Sequence, residues 1–121
     1  MKVAVSAKEP TLESPVDSRF GRCPYYVIVE TDDLSFESRE NPGAGQGSGA
    51  GIRAGKLMSD LSVEYVLTGN CGPNAYRTLT AAGIRVIVGC EGTVAEVAGR
   101  LASGDLSDAD GPNVDSHFGM E

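Results

Sequence analysis

The chain has 121 residues, 40% of them apolar, and a formal charge of −7. That size predicts one domain around a single core, and the negative charge argues against gripping the nucleic-acid backbone. No apolar run approaches the roughly 20 residues that span a membrane, and Met1-Lys2 leads into Val3-Ala4-Val5 with no signal-peptide pattern. The three cysteines form no disulfide framework, so the expected compartment is the reducing cytoplasm.

In chain order, Lys2 to Ser6 reads as a short buried strand. Pro10 and Pro15 exclude a continuous helix from the irregular stretch 7–23. Tyr25 to Glu30, rich in aromatic and β-branched residues, predicts a second strand. Thr31-Asp32-Asp33 is a turn signal, and Ser35 to Arg39 closes a hairpin as a weaker strand. A glycine-rich loop then leads to a helix with Ala54, Leu57, Met58 and Leu61 on one apolar face.

Two strand–helix units follow: strand 63–67, turn 68–72 and helix 73–82, then strand 84–88, turn 89–92 and helix 93–103. Gly83 and Gly104 fall where helices stop. Thr93-Val94-Ala95-Glu96 matches a capping box ahead of the buried stripe Val94, Val97, Ala98 and Leu101. The reading is thus one α/β domain over residues 1–104 and an irregular, mobile tail over 105–121. Strands alternating with helices imply parallel neighbours, and the hairpin adds an antiparallel member. The expected architecture is a mixed sheet covered by helices.

Four features bear on chemistry. The loop Gly43-Ala44-Gly45-Gln46-Gly47-Ser48-Gly49-Ala50-Gly51 has glycine at every second position before a helix. Exposed amides and a helix N-terminus there suit an anion; a flexible linker is the plainer alternative. No Gly-Lys-Ser/Thr follows, so this is not a nucleotide P-loop. Arg19-Phe20-Gly21-Arg22 brackets an aromatic with two guanidiniums, which either face an anion or pair with nearby carboxylates.

Thr68-Gly69-Asn70-Cys71-Gly72-Pro73-Asn74-Ala75 places a thiol and two side-chain amides at a strand-to-helix turn, where open α/β sheets bind ligands. A helix N-terminus beside Cys71 is expected to lower its pKa and favour the thiolate. That thiol is a metal ligand, a redox group or a small turn residue. Cys90, in the equivalent turn of the next unit, is placed to share a ligand with it, whereas Cys23 reads as structural. His117, the only histidine, is either a solvated tail residue or a soft-metal ligand with Cys71 and Met120. No Cys-x-x-Cys spacing supports a preformed zinc site. There is also no Gly-x-Ser-x-Gly elbow for a hydrolase and no close carboxylate pair for glycosidase chemistry.

These residues together resemble the dinitrogenase iron–molybdenum cofactor biosynthesis family, which includes NifX-like carriers and the C-terminal domain of NifB. The likeness runs almost end to end. It rests on Ser14-Pro15-Val16, Arg19-Phe20-Gly21-Arg22, Pro24-Tyr25-Tyr26 and Asn41-Pro42-Gly43-Ala44, then on residues 68–75 and Ala81-Ala82-Gly83-Ile84. Gly92-Thr93-Val94, Gly111-Pro112-Asn113 and His117-Phe118-Gly119-Met120 complete it.

The resemblance implies a three-layer α/β/α, ribonuclease H-like fold with a mixed, mostly parallel sheet and no nuclease chemistry. It implies a non-enzymatic binding, carrier or storage role for an anionic metal–sulfur cluster, iron–molybdenum or related. Cluster-assembly or acceptor proteins would be its partners. The cluster-facing groups would be Arg19, Phe20, Gly21, Arg22, Gly43, Gly45, Gly47, Gly49, Gly51, Asn70, Gly72 and Asn74, with Cys71 and His117 as direct metal ligands. The alternative is a regulatory module that binds a partner protein or a small anion without metal.

Overall fold

The computed structural model describes residues 1–43 and 49–114. Five strands and three helices follow in the order β1 (Lys2–Ala7), β2 (Tyr25–Glu30), β3 (Phe36–Glu40), α1 (Ala50–Asp60), β4 (Tyr65–Leu67), α2 (Pro73–Ala81), β5 (Arg85–Ile87) and α3 (Val94–Ala102). The sheet order is β3-β2-β1-β4-β5. β2 runs antiparallel to both β1 and β3, and β1, β4 and β5 pair in parallel. Four strands therefore point one way and β2 alone opposes them.

Period-2 alternation divides the sheet residues between two apolar layers. Ala4, Tyr26, Ile28 and Val66 pack with Ala54 and Met58 of α1 and with Ala75 and Leu79 of α2. Val3, Val5, Val27, Val29, Leu67 and Ile87 pack with Val94, Val97, Ala98 and Leu101 of α3. The result is a three-layer α/β/α domain, with α1 and α2 on one face and α3 on the other. α1 and α2 press closely at Gly55, where an added methyl would come within 2.6 Å of Thr78 Cγ2.

The helix boundary signals act as read. Thr93 Oγ1 accepts from Glu96 N, and the Glu96 carboxylate accepts from Thr93 N. Gly83 and Gly104, at φ +79° and +78°, follow the last residues of α2 and α3 in the left-handed conformation that ends a helix cheaply only with glycine. Past α3, residues 105–114 form no helix or strand, and several of their backbone groups bond to the body of the domain. Ala109 N bonds to Val86 O (2.7 Å), Tyr76 Oη donates to Ala109 O (3.2 Å), and Asn113 N bonds to Cys71 O (3.0 Å). Backbone groups of this polar segment pair with the sheet edge and the 68–72 turn, which is what tethers it.

Candidate anion-binding site

Three chain segments meet beyond the carboxyl ends of β1 and β4. The first is the arginine loop 17–22, the second the turn 68–72, and the third the start of α1. Small residues let them meet. A methyl at Gly69 would lie 2.8 Å from Ser18 Cα, so only glycine lets the arginine loop cross the turn there. Phe20 N then donates to Asn70 O (3.2 Å), and Asn70 Nδ2 donates to Ser18 O (3.0 Å).

A methyl on Gly21 would sit 3.2 Å from Gly51 Cα, and one on Gly51 would sit 3.1 Å from Ala75 Cβ. The arginine loop, the first turn of α1 and the first turn of α2 are thus in mutual contact. Asn41 fastens the start of the glycine loop to them. Its Nδ2 donates to Gly21 O (3.0 Å) and Cys23 O (2.9 Å), while its Oδ1 accepts from Gly43 N (3.0 Å).

Both helix starts carry the positive end of a helix dipole. α1 begins at Gly49 and α2 at Gly72; neither has a side-chain cap or an acidic residue in its first turn. Among the described residues no acceptor meets the first-turn amides of Ala50, Gly51 and Ile52, or those of Asn74 and Ala75. Amides in that arrangement, with the helix dipole behind them, bind anions.

The arginines divide. Arg19 is drawn to Asp17, whose carboxylate is 4% exposed and accepts from Arg19 N (2.9 Å) and Nε (3.4 Å). Of the two readings of this arginine, carboxylate pairing is the one observed. Arg22 is half-buried on the same loop. A third guanidinium, absent from the sequence reading, belongs to Arg53. Its Nη1 lies 3.2 Å from where a Gly49 Cβ would be, and its Nε 3.3 Å from a Gly43 Cβ. It therefore lies against both described ends of the glycine loop. The available signal was a cation near a helix start, where the dipole disfavours it unless it serves an anion.

The thiols overturn two expectations. Cys71 is 1% exposed, and burial pushes its pKa up to about 12. The helix N-terminus does not make a thiolate of it, because desolvation among Phe20, Ala75 and Leu79 outweighs the dipole. Nor do Cys90 and Cys71 face one another, as sharing a ligand would require. Cys90 packs in the α3 layer and Cys71 in the α1–α2 layer, on opposite faces of the sheet. Cys23 is fully buried, with its pKa also raised to about 12 by desolvation, and its Sγ donates to Phe20 O (3.4 Å).

The other predicted site residues are placed as follows. The Phe20 ring fills the core against Tyr26, with ring centroids 5.4 Å apart, and Tyr26 Oη donates to Phe20 O. Phe20 thus supports the arginine loop from behind and presents only backbone to the site. Gly43, Gly49 and Gly51 line the start of α1, and Gly72 and the exposed Asn74 the start of α2. Gly45, Gly47 and His117 lie outside the described residues. Among the described residues no group of three His, Cys, Asp or Glu side chains is close enough to hold a metal ion. The donor set suits an anion held by N–H groups better than a bare cation.

A small α/β domain with two helix starts and an arginine loop converging at one sheet edge is the class that this geometry defines. The model of the dinitrogenase iron–molybdenum cofactor family matches residues 1–104, and the chain belongs to that family. The apo form of the orange protein from Desulfovibrio gigas is similar, with 36% identity and a TM-score of 0.90 over 93% of this chain and 96% of that one. A Thermotoga protein described as a candidate NifB is 33% identical, with a TM-score of 0.75 over 88% of this chain and 91% of its own. An uncharacterised protein of Methanocaldococcus jannaschii is 28% identical over 89 residues, 71% of this chain and 72% of that protein. The family ties the chain to binding or assembly related to the iron–molybdenum cofactor.

Proposed function

We propose that the domain is a non-catalytic carrier or store for an anionic metal–sulfur cluster, iron–molybdenum or related, which it exchanges with cluster-assembly or acceptor proteins. The observation that carries this reading is the pair of touching helix starts whose first-turn amides meet no acceptor among the described residues. Arg53 stands beside the start of α1, and the loop that carries Arg19 and Arg22 touches the same start through Gly21. A sulfide-rich cluster of net negative charge matches such donors, because N–H···S contacts and the dipoles act together in a partly buried setting. The net charge of −7 does not oppose this. The two helix dipoles and nearby Arg53 contribute positive charge locally, and charges beyond about 10 Å are screened at ordinary salt.

Direct ligation by Cys71 is the weaker part of the reading. Burial pushes the Cys71 thiol up to about 12, so without metal it is protonated at pH 7 and a metal would first have to displace that proton. Amides and guanidiniums face no such step. In this proposal Cys71 is a wall of the site and the amides are its grip, and His117 is a candidate ligand from the tail.

Anaerobic reconstitution with iron, molybdate and sulfide, followed by metal analysis and a visible spectrum, tests the proposal. A coloured protein with stoichiometric metal is expected. Cys71→Ala should keep most of that absorption, and Arg53→Gln should lose much of it. Protein that stays colourless and metal-free, but is thermally stabilised by a small anion alone, would replace the cluster by a simpler ligand.

A further inference from the structure

We propose that Asn113 is a positioning residue for this site, so that the segment after the last helix completes it; the inference rests on the anion-binding reading above. The side chain of Asn113 is exposed and fills no core space, yet one planar amide and its own backbone N–H make four bonds. Oδ1 accepts from Cys71 N (2.7 Å), and the backbone N donates to Cys71 O (3.0 Å). Nδ2 donates to Gly69 O (3.3 Å) and to Asn70 Oδ1 (3.0 Å). Asn70 passes the connection on, its own Nδ2 bonding Ser18 O (3.0 Å).

An amide clasp therefore links residues 18, 69–71 and 113, segments far apart in sequence. Only a side chain that both donates and accepts can make it.

The clasp closes directly ahead of Gly72, the N-cap of α2, whose extended φ and ψ of −79° and 172° turn the chain into the helix. It fixes the register of the turn and, through Ser18, the height of the arginine loop over it. Asn113 lies past the end of α3 at Ala102, so it is the irregular segment and not a helix or strand that makes the clasp. A second tether, Arg85 Nε to Asp108 Oδ2 at 2.6 Å, anchors the same segment at an exposed position well away from the helix starts.

The test compares the full-length protein with Asn113→Ala, Asn70→Ala, the double variant and Arg85→Ala. One measurement is affinity for tetrathiomolybdate, a molybdenum–sulfur dianion; the other is hydrogen exchange at the Cys71 amide. Asn113→Ala should weaken dianion binding about tenfold and speed Cys71 exchange at least as much. In the double variant the loss should not exceed that of the worse single change, since both break one clasp. Asn113→Asp keeps the acceptor for Cys71 N and should slow its exchange back toward wild type. Arg85→Ala should alter neither measurement by more than twofold.

If Asn113→Ala binds within twofold of a wild type that itself binds, or if Arg85→Ala is equally harmful, the positioning role is wrong. If the wild type takes up no dianion, the anion-binding reading falls, and this inference with it.

Discussion

The start of α3 and the starts of α1 and α2 solve the same problem in opposite ways. Every helix start leaves backbone N–H groups without partners inside the helix. At α3 they are all met: Val94 N bonds to Ser14 O (2.9 Å), Ala95 N to Leu12 O (3.0 Å) and Glu96 N to Thr93 Oγ1 (3.2 Å). Glu96 adds a negative charge where the dipole favours one, and its bonds to Thr93 hold its carboxyl below the usual range. On the other face of the sheet α1 and α2 start on glycine, without acid and without a side-chain cap. By contrast, among the described residues the first-turn amides of α1 and α2 meet no acceptor although the two starts touch, and it is on this difference that the proposed anion site rests.

The largest effect expected from this comparison concerns the thiols. Were the open helix starts strong enough to ionise a neighbour, Cys71 would be reactive. With its pKa near 12 rather than the ordinary 9, its alkylation at pH 8 should instead run about a thousandfold slower than that of a free thiol, one decade per unit. Fast labelling of Cys71 would break the comparison. The same shift fixes the sign of the alkaline behaviour. Between pH 9 and 12 the unfolded chain releases thiol protons that the folded state keeps at Cys23 and Cys71. Stability therefore falls as pH rises through that window and is whole below it. Denaturant midpoints from pH 8 to 11 measure the slope, which Cys71→Ala should reduce.

Next in size is Gly69→Ala. Its methyl meets Ser18 Cα at 2.8 Å, a backbone atom that cannot turn aside, so a loss of about 2 kcal/mol is expected. Chemical denaturation measures it, and dianion affinity should fall in the same protein because the arginine loop is lifted. An unchanged midpoint would mean that the open face tolerates rearrangement.

Asn74→Asp sharpens the contrast by giving α2 the first-turn acid that α3 already has. Stability should rise by about 0.3–1 kcal/mol, while affinity for tetrathiomolybdate drops roughly tenfold, about 1.4 kcal/mol, from like-charge repulsion. A change of both in the same direction would show that the helix start is not the binding element. Thr93→Ala is the smallest and the control. It opens the capping box for about 1 kcal/mol of stability and should leave dianion binding where it was, since α3 lies on the far face.

Much of the fold was legible in the sequence because its signals are local. The run Tyr25 to Glu30 is a strand because β-branched and aromatic residues crowd it. Thr93 and Glu96 announce a helix start three residues apart, and Gly83 and Gly104 announce stops. Where expectation and structure part, the interaction is non-local. β4 and β5 span only Tyr65–Leu67 and Arg85–Ile87, shorter than their apolar runs, because only those residues find ladder partners. Arg53 was invisible as a site residue because its helix number says nothing about Gly43 and Gly49 folding around it.

Sequence alone determined the order of elements, the capping box of α3 and the glycine helix stops, since each rests on residues within a few positions of one another, and the likeness to a cofactor-associated family, which rests on motifs in order along the chain. Tertiary structure decided everything that depends on solvent access and on which loops meet. It put Cys71 and Cys90 on opposite faces and kept Cys71 a neutral thiol, because desolvation is set by packing around a residue and not by its neighbours in the chain. It brought the starts of α1 and α2 together at Gly51 and Ala75, and it drew Asn113 back onto Cys71. A dipole, a glycine and an amide can each be read from sequence; their convergence on one volume is a property of the folded chain.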